Sequence, residues 1–318
     1  MLRFVLHRLA YAVPIIVGVS LVCFLLVHVA PGDPASALIP DDTPPEIAAQ
    51  IRAAYGFDRP LPIQYLTWLG NVATGDLGLA LSTRRPVIEE VLPAVANTLR
   101  LAAGAIVLAC VAGVVLGTLA AYRAGRTSDR AISAIGISGM SVPQYWLGIV
   151  LVIVFSVELG LLPATGMGHP DAGLAGQWQH MILPTITLAT VPAGVIARSV
   201  RSAVSEVLQQ EYVQALEAKG LPAAWIVLHV AKNAAPALLA IMGLQFANLL
   251  GGSILVETIF AWPGSGYLLN SAIFLRDLPL MQGTVLVLAL FFVLANLAVD
   301  LLQMALDPRM NSARRGSG

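Results

Sequence analysis

Six stretches of this chain, residues 9–32, 101–122, 131–157, 172–197, 233–256 and 278–299, contain no Asp, Glu, Lys or Arg, and each is 22–27 residues long. A helix needs about 20 apolar residues to cross the hydrocarbon of a bilayer. The expected fold is therefore an all-α polytopic membrane protein with six transmembrane helices. Composition agrees: 57% of the 318 residues are hydrophobic and 11% are charged, against about 25% charged in a soluble domain. Two shorter charge-poor stretches fail as spans. Residues 60–75 are too short and too polar, and residues 258–275 carry Pro263, Gly264 and Gly266, which break a helix. The second stretch is expected outside the membrane or re-entrant, because irregular backbone at membrane depth must be covered by protein or line a cavity. The first apolar run is too long for a signal peptide, whose apolar region is about 7–15 residues, so it reads as a retained span. Cys23 and Cys110 fall inside expected spans and read as small buried hydrophobes.

Placing both termini in the cytoplasm puts 12 of the 18 Lys and Arg in the internal segments, and 12 of the 18 acidic residues outside. Cytoplasmic loops carry the excess of Lys and Arg, so the N-in, C-in orientation follows. The chain then divides into an N-terminus with first span (1–32), an external subdomain (33–100), a five-helix core (101–308) and a cytoplasmic tail (309–318). Residues 45–56 read as a short helix within the subdomain, with Ile47, Ile51 and Tyr55 at spacing four, and residues 86–98 read as another that leads into span two. Gly113 and Gly117 form a GxxxG pair that lets two helices approach closely. Ser138, Ser141 and Pro143 predict a kink in span three, and spans four and five are expected to begin near Pro184 and Pro236.

No catalytic motif is present. His7, His28, His169, His180 and His229 lack metal-ligand spacing, and there is no GxxxxGK[ST] phosphate loop or GxSxG elbow. No charge lies deep within a span, where ion-coupled carriers keep their relays. Glu257 is expected at the membrane interface. One cytoplasmic segment, residues 198–235, breaks the apolar pattern. Ser205 to Lys219 is composed of good helix formers. Gly220 is expected to end that helix in the left-handed conformation, and Pro222 to open the next at its first turn. A second short helix, Ala223 to Ala235, leads into span five. Three glutamates against two lysines suit a protein partner better than an anionic membrane surface.

A set of motifs in order then carries a family resemblance: PGDP at 31–34, GDLG at 75–78, PV at 86–87, YRAG at 122–125 with Ser128-Asp129, SVPQYWLG at 141–148, LLPATG at 161–166, HMILPTITLA at 180–189, EYVQALEAKGL at 211–221, LLGGSILVETIFAWPGSG at 249–266, RDLP at 276–279 and NLAVDLLQMALDPR at 296–309. The chain resembles the permease subunits of prokaryotic ABC importers in the dipeptide/oligopeptide/nickel branch. The resemblance implies a non-catalytic subunit of the prokaryotic plasma membrane that pairs with a second homologous permease in the lipid bilayer. It implies two cytoplasmic ATP-binding subunits, which hold the ATP and Mg, and an external solute-binding protein. This chain would carry no cofactor and bind no nucleic acid. The cytoplasmic segment resembles the family's EAA coupling loop, with Gln214, Ala215 and Leu216 at the Glu-Ala-Ala positions and Glu211, Glu217, Lys219 and Gly220 around them. A short peptide is the expected substrate, with nickel, glutathione or another small solute as alternatives within the branch. An ion-coupled secondary carrier and a non-transporting scaffold are the alternatives outside it.

Overall fold

The computed structural model describes residues 2–29, 43–55, 58–168 and 173–306. The PGDP motif at 31–34, His169 and the tail at 309–318 lie outside the described residues. The described chain is helical, in twelve α-helices: α1 (Leu2–Val29), α2 (Pro45–Tyr55), α3 (Leu61–Ala73), α4 (Val87–Tyr122), α5 (Thr127–Ser141), α6 (Gln144–Leu151), α7 (Gly173–Leu208), α8 (Glu211–Ala218), α9 (Ala223–Gly252), α10 (Ile254–Ile259), α11 (Ser265–Phe274) and α12 (Leu278–Leu306). A π-helical segment, Val152–Glu158, continues α6.

Four helices are long and apolar enough to cross a membrane: α4, Gly176–Leu208 within α7, α9, and Leu278–Leu301 within α12. A fifth crossing is possible if α5 and the α6–π segment, bent by 99°, act as one. In α1 the apolar stretch found among the described side chains is Ala10–Leu25. The protein is thus a polytopic helical membrane protein with four or five such spans among the described residues.

The bend in span three is larger than a kink. Pro143 disfavours the helical conformation for the residue before it, and Val142 is extended at φ −76°, ψ 126°. The Val142 N–H bonds to the Ser138 carbonyl at 3.1 Å, and the chain restarts as α6. Pro184 and Pro236 do not begin spans four and five. They sit inside α7 and α9, where neighbouring helices and local adjustments tolerate the lost hydrogen bond. The short helix expected over 223–235 is accordingly the first half of one helix that runs to Gly252.

The chain divides into two compact units. The first comprises residues 1–96 with 264–293. In it α3 packs on α1 through aromatic contacts, Phe24 edge-on to Tyr65 with ring centroids 5.4 Å apart, and the Ser20 and Tyr65 hydroxyls 2.8 Å apart. The buried Asp277 carboxylate holds the start of α12. Oδ1 accepts the Leu280 N–H at 3.1 Å, and Oδ2 accepts the N–H and hydroxyl of Ser82 at 2.8 and 2.7 Å. This is an N-cap, and it gives the RDLP motif a structural reason.

The second unit, residues 97–263 with 294–318, is built on α7. Its buried apolar side includes Leu183, Leu188, Ile196, Val200 and Val204. Gly113 and Gly117 of α4 meet α7: a Cβ on Gly117 would stand 2.4 Å from the Ala197 carbonyl oxygen, and one on Gly113 2.6 Å from Ile196 Cγ2. The opposite face of α4 leaves Val107, Val111, Val115 and Leu119 exposed at spacing four, as a lipid-facing stripe requires. Glu257, expected at the membrane interface, is fully buried in this unit. Its Oε1 accepts the hydroxyls of Thr98 at 2.8 Å and Ser253 at 2.7 Å. Nearby, Trp262 Nε1 donates to the Asn97 carbonyl at 3.1 Å, and Asn97 Nδ2 to the Pro263 carbonyl at 2.9 Å. The LVETIFAWPG motif is therefore a folded corner, α10 and its exit turn, whose polar groups have partners within the protein.

Candidate coupling surface

The helix expected from Ser205 to Lys219 is two helices. α7 ends at Leu208, and the Gln209 and Gln210 N–H groups bond back three residues, to Glu206 and Val207 at 3.3 and 3.1 Å. This tightened last turn leaves Gln210 extended at φ −74°, ψ 142°, and α8 starts in a new direction. Nothing in the local propensities of residues 205–219 marks this break. Burial decides it: the turn lets Val213 enter the core, where it is 1% exposed among a set that includes Val204, Val207, Ile226 and Val230. Tyr212, Leu216 and Leu221 are half-buried against the same core.

The end of α8 follows the expectation closely. Gly220 is left-handed at φ +72°. Its N–H bonds to the Glu217 carbonyl at 2.8 Å, and the Leu221 N–H reaches the Leu216 carbonyl at 3.3 Å. That pair of bonds is a Schellman motif, and Leu216 and Leu221 are its usual hydrophobic pair of positions. Pro222 stands one residue earlier than expected, at the N-cap of α9 rather than in its first turn, at φ −56°, ψ 142°. In that place its carbonyl accepts the first helical bonds, from Trp225 at 2.9 Å and Ile226 at 3.4 Å. Asn233 Nδ2 donates to the Tyr212 hydroxyl at 3.1 Å and so ties α9 to α8.

This geometry sorts the seven residues named from the sequence. Glu211, Gln214, Ala215, Glu217, Lys219 and Gly220 are exposed. Leu216 faces inward and is half-buried. Glu211, Gln214, Ala215 and Ala218 repeat at three and four residues, so they form one face of α8, opposite Val213. α8 is thus a short helix pinned by an apolar side, with a mixed polar and small face turned out.

One supporting element was not legible as such in the sequence. Arg201, two turns before the end of α7, makes a bidentate pair with Asp129 in the first turn of α5, Nε to Oδ1 at 2.6 Å and Nη2 to Oδ2 at 2.8 Å. Asp129 also accepts the Gly125 N–H at 3.0 Å and the Ser133 hydroxyl at 3.3 Å. The carboxylate is 4% exposed and Arg201 39%. The YRAG–SD motif therefore builds a turn whose buried acid anchors the end of α7 from which α8 departs. Only the 72-residue separation of the pair concealed it. Replacing Arg201 by Leu is expected to lower the melting midpoint of the purified protein by several degrees, since a buried carboxylate loses its charged partner. Arg201→Lys, which keeps the charge but not the bidentate fork, should lose less, and equal loss in the two would show that geometry is irrelevant.

Residues 113–312 match the family described as the inner membrane component of binding-protein-dependent transport systems, and residues 1–102 match its N-terminal component. The chain belongs to this family. It is 38% identical to the dipeptide transport system permease protein DppB of Alkalihalophilus pseudofirmus, covering 98% of this chain and 99% of that one. It is 40% identical to the glutathione transport system permease protein GsiC of Escherichia coli, covering 97% and 98%. Among solved structures, the inward-facing MetNI methionine ABC transporter shares the fold, with a TM-score of 0.58 at 21% identity over 69% of this chain and 97% of the matched chain. As an ABC permease of the dipeptide/oligopeptide type, the protein is a transport component embedded in the membrane, in a class of subunits that are not catalytic.

Proposed function

We propose that this permease is one half of the translocation path of an ATP-driven importer of short peptides. It acts with a second homologous permease, two cytoplasmic ATP-binding subunits that hold ATP and Mg, and an external solute-binding protein. The chain itself holds no cofactor and contacts lipid but no nucleic acid. In the prokaryotic plasma membrane it would cross six times, with α1 and the bent α5–α6 pair completing the set and both termini inside. The external subdomain, residues 33–100, and the corner at 258–277 would meet the binding protein. Substrate identity rests on relatives named for dipeptide and for glutathione, itself a small peptide, and nickel is the second reading within the same role.

The observation that carries the coupling reading is α8: an eight-residue helix fixed on its inner side by Val213, Tyr212 and Leu216, with Glu211, Gln214 and Ala215 turned out. A helix held this way moves as a unit with α7 and α9. ATP-driven closure of the ATPases would pull or push it, and so switch the path between outward and inward access. The Gly220 cap is the test. No atom lies within 4 Å of a Cβ built there, so a side chain meets no wall and only the left-handed backbone objects, by about 1–2 kcal/mol. Gly220→Asn, which tolerates that conformation, should keep ATPase co-purification and uptake, whereas Gly220→Val should lose both by about tenfold. Retention of both by Gly220→Val would sink the coupling role of this cap.

A further inference from the structure

Three uncharged amide side chains come together where no charged residue occurs. Gln144 opens α6 just after the 99° bend, and Gln245 and Asn248 lie on one face of α9. They line a groove of about 190 Å³ whose remaining walls are Leu188, Val191, Pro192, Leu249 and Gly252. All eight residues belong to the charge-free runs of the sequence. Gln144 and Gln245 are half-buried and Asn248 is exposed. Among the described residues none of the three amides makes a side-chain hydrogen bond. In addition, residue 192 is proline, so the carbonyl of Leu188, a residue of the groove wall, has no N–H four residues on to bond.

An amide left without partners in hydrocarbon costs several kcal/mol, and three on one groove would not be sustained against lipid. They need water, a solute or another protein chain. We propose that the Gln144–Gln245–Asn248 groove faces the aqueous translocation path and hydrogen-bonds the backbone of a passing peptide. The chemistry favours that ligand class. Each amide offers both donors and an acceptor, matching the N–H and C=O of a peptide unit whatever its side chain. The lining carries no charge, so neither terminus of a zwitterion is trapped. It also offers no carboxylate, imidazole or thiolate, the ligands a nickel ion would require. The inference rests on the permease reading above and deepens it by naming where the substrate is touched.

The test uses the complete transporter, co-expressed with its subunits and reconstituted in proteoliposomes, in a Cys23→Ala/Cys110→Ala background. Gln245→Cys and Asn248→Cys should react with a membrane-impermeant thiol reagent about tenfold faster than Val111→Cys on the exposed apolar face of α4, with or without ATP. Millimolar trialanine should slow that reaction. Separately, Gln245→Leu with Asn248→Leu should raise the apparent KM for labelled trialanine about tenfold or more, as expected for lost hydrogen bonds, while the amide-retaining exchange Gln245→Asn with Asn248→Gln stays within about threefold. Labelling as slow as at Val111→Cys in both nucleotide states would overturn the proposal, as would labelling indifferent to peptide. Dissociation of the second permease in the leucine variant would assign the amides to that interface instead and equally overturn it. A wild-type complex that takes up no peptide with ATP would count against the peptide-importer reading, and the nucleotide-dependent thiol rates would still report on whether the groove meets water.

Discussion

Replacing Ala215 by Trp should cut ATP-driven uptake by roughly 100-fold, the effect of a clash of about 3 kcal/mol built into a docking face. The chain itself should fold and insert as before. Ala215 is exposed, one turn from Glu211 and next to Gln214, on the side of α8 turned away from Val213. Because Ala215 is exposed, a large ring there would project from the outer face of α8 and stand between it and a docked partner. The readouts are uptake into proteoliposomes and recovery of the ATP-binding subunits with the purified permease, and both should fall together. Unchanged recovery and uptake would remove the outer face of α8 from the coupling mechanism. The Leu216 position gives the contrast. Its side chain packs against the core, so Leu216→Ala should destabilise this subunit rather than report on the partner.

The second large effect is structural. Gly117→Val should cost about 3 kcal/mol, at the upper end for overpacking, and lower the melting midpoint in detergent by roughly 10 °C. A Cβ at this position falls 2.4 Å from the Ala197 carbonyl oxygen and 2.7 Å from the Val200 Cβ. The first of these is backbone, which cannot swing aside as a side-chain end can. Gly117→Ala should show roughly half the loss, and Gly113→Val a comparable one against Ile196. Gly70→Ala is the control: it lies inside α3 with no atom within 4 Å of its Cβ, so the exchange should be neutral or gain up to about 1 kcal/mol from helix propensity. If Gly117→Val melts like the parent protein, α4 and α7 do not depend on this contact.

Much of the α8 segment was legible from local chemistry. A glycine after Lys219 and a proline two residues on predict a stop and a restart, because left-handed φ and a missing N–H are properties of those residues alone. Gly220 at φ +72° and Pro222 at the N-cap meet that expectation to within one residue. The break before α8 was not legible, since Gln209 and Gln210 carry no such signal and were overruled by the burial of Val213. Pro184 and Pro236 misled in the other direction. Proline interrupts an isolated helix, but α7 and α9 run through theirs. Sequence spacing likewise could not show that Asp129 meets Arg201, or that Glu257 is enclosed by Thr98 and Ser253.

By itself, then, the sequence determined the class of solvent this chain lives in, because charge is excluded from hydrocarbon wherever it lies in the fold. The charge-free runs and the charged segments between them, 198–235 included, follow from that one rule. Only the tertiary structure decided which faces of the helices are used. It placed Gly113 and Gly117 against α7, turned Val213 inward so that Gln214 and Ala215 point out, and gathered Gln144, Gln245 and Asn248 from two distant runs onto one groove. These outcomes depend on which side chains are buried together, and packing across a hundred residues of chain is not a property of any local stretch.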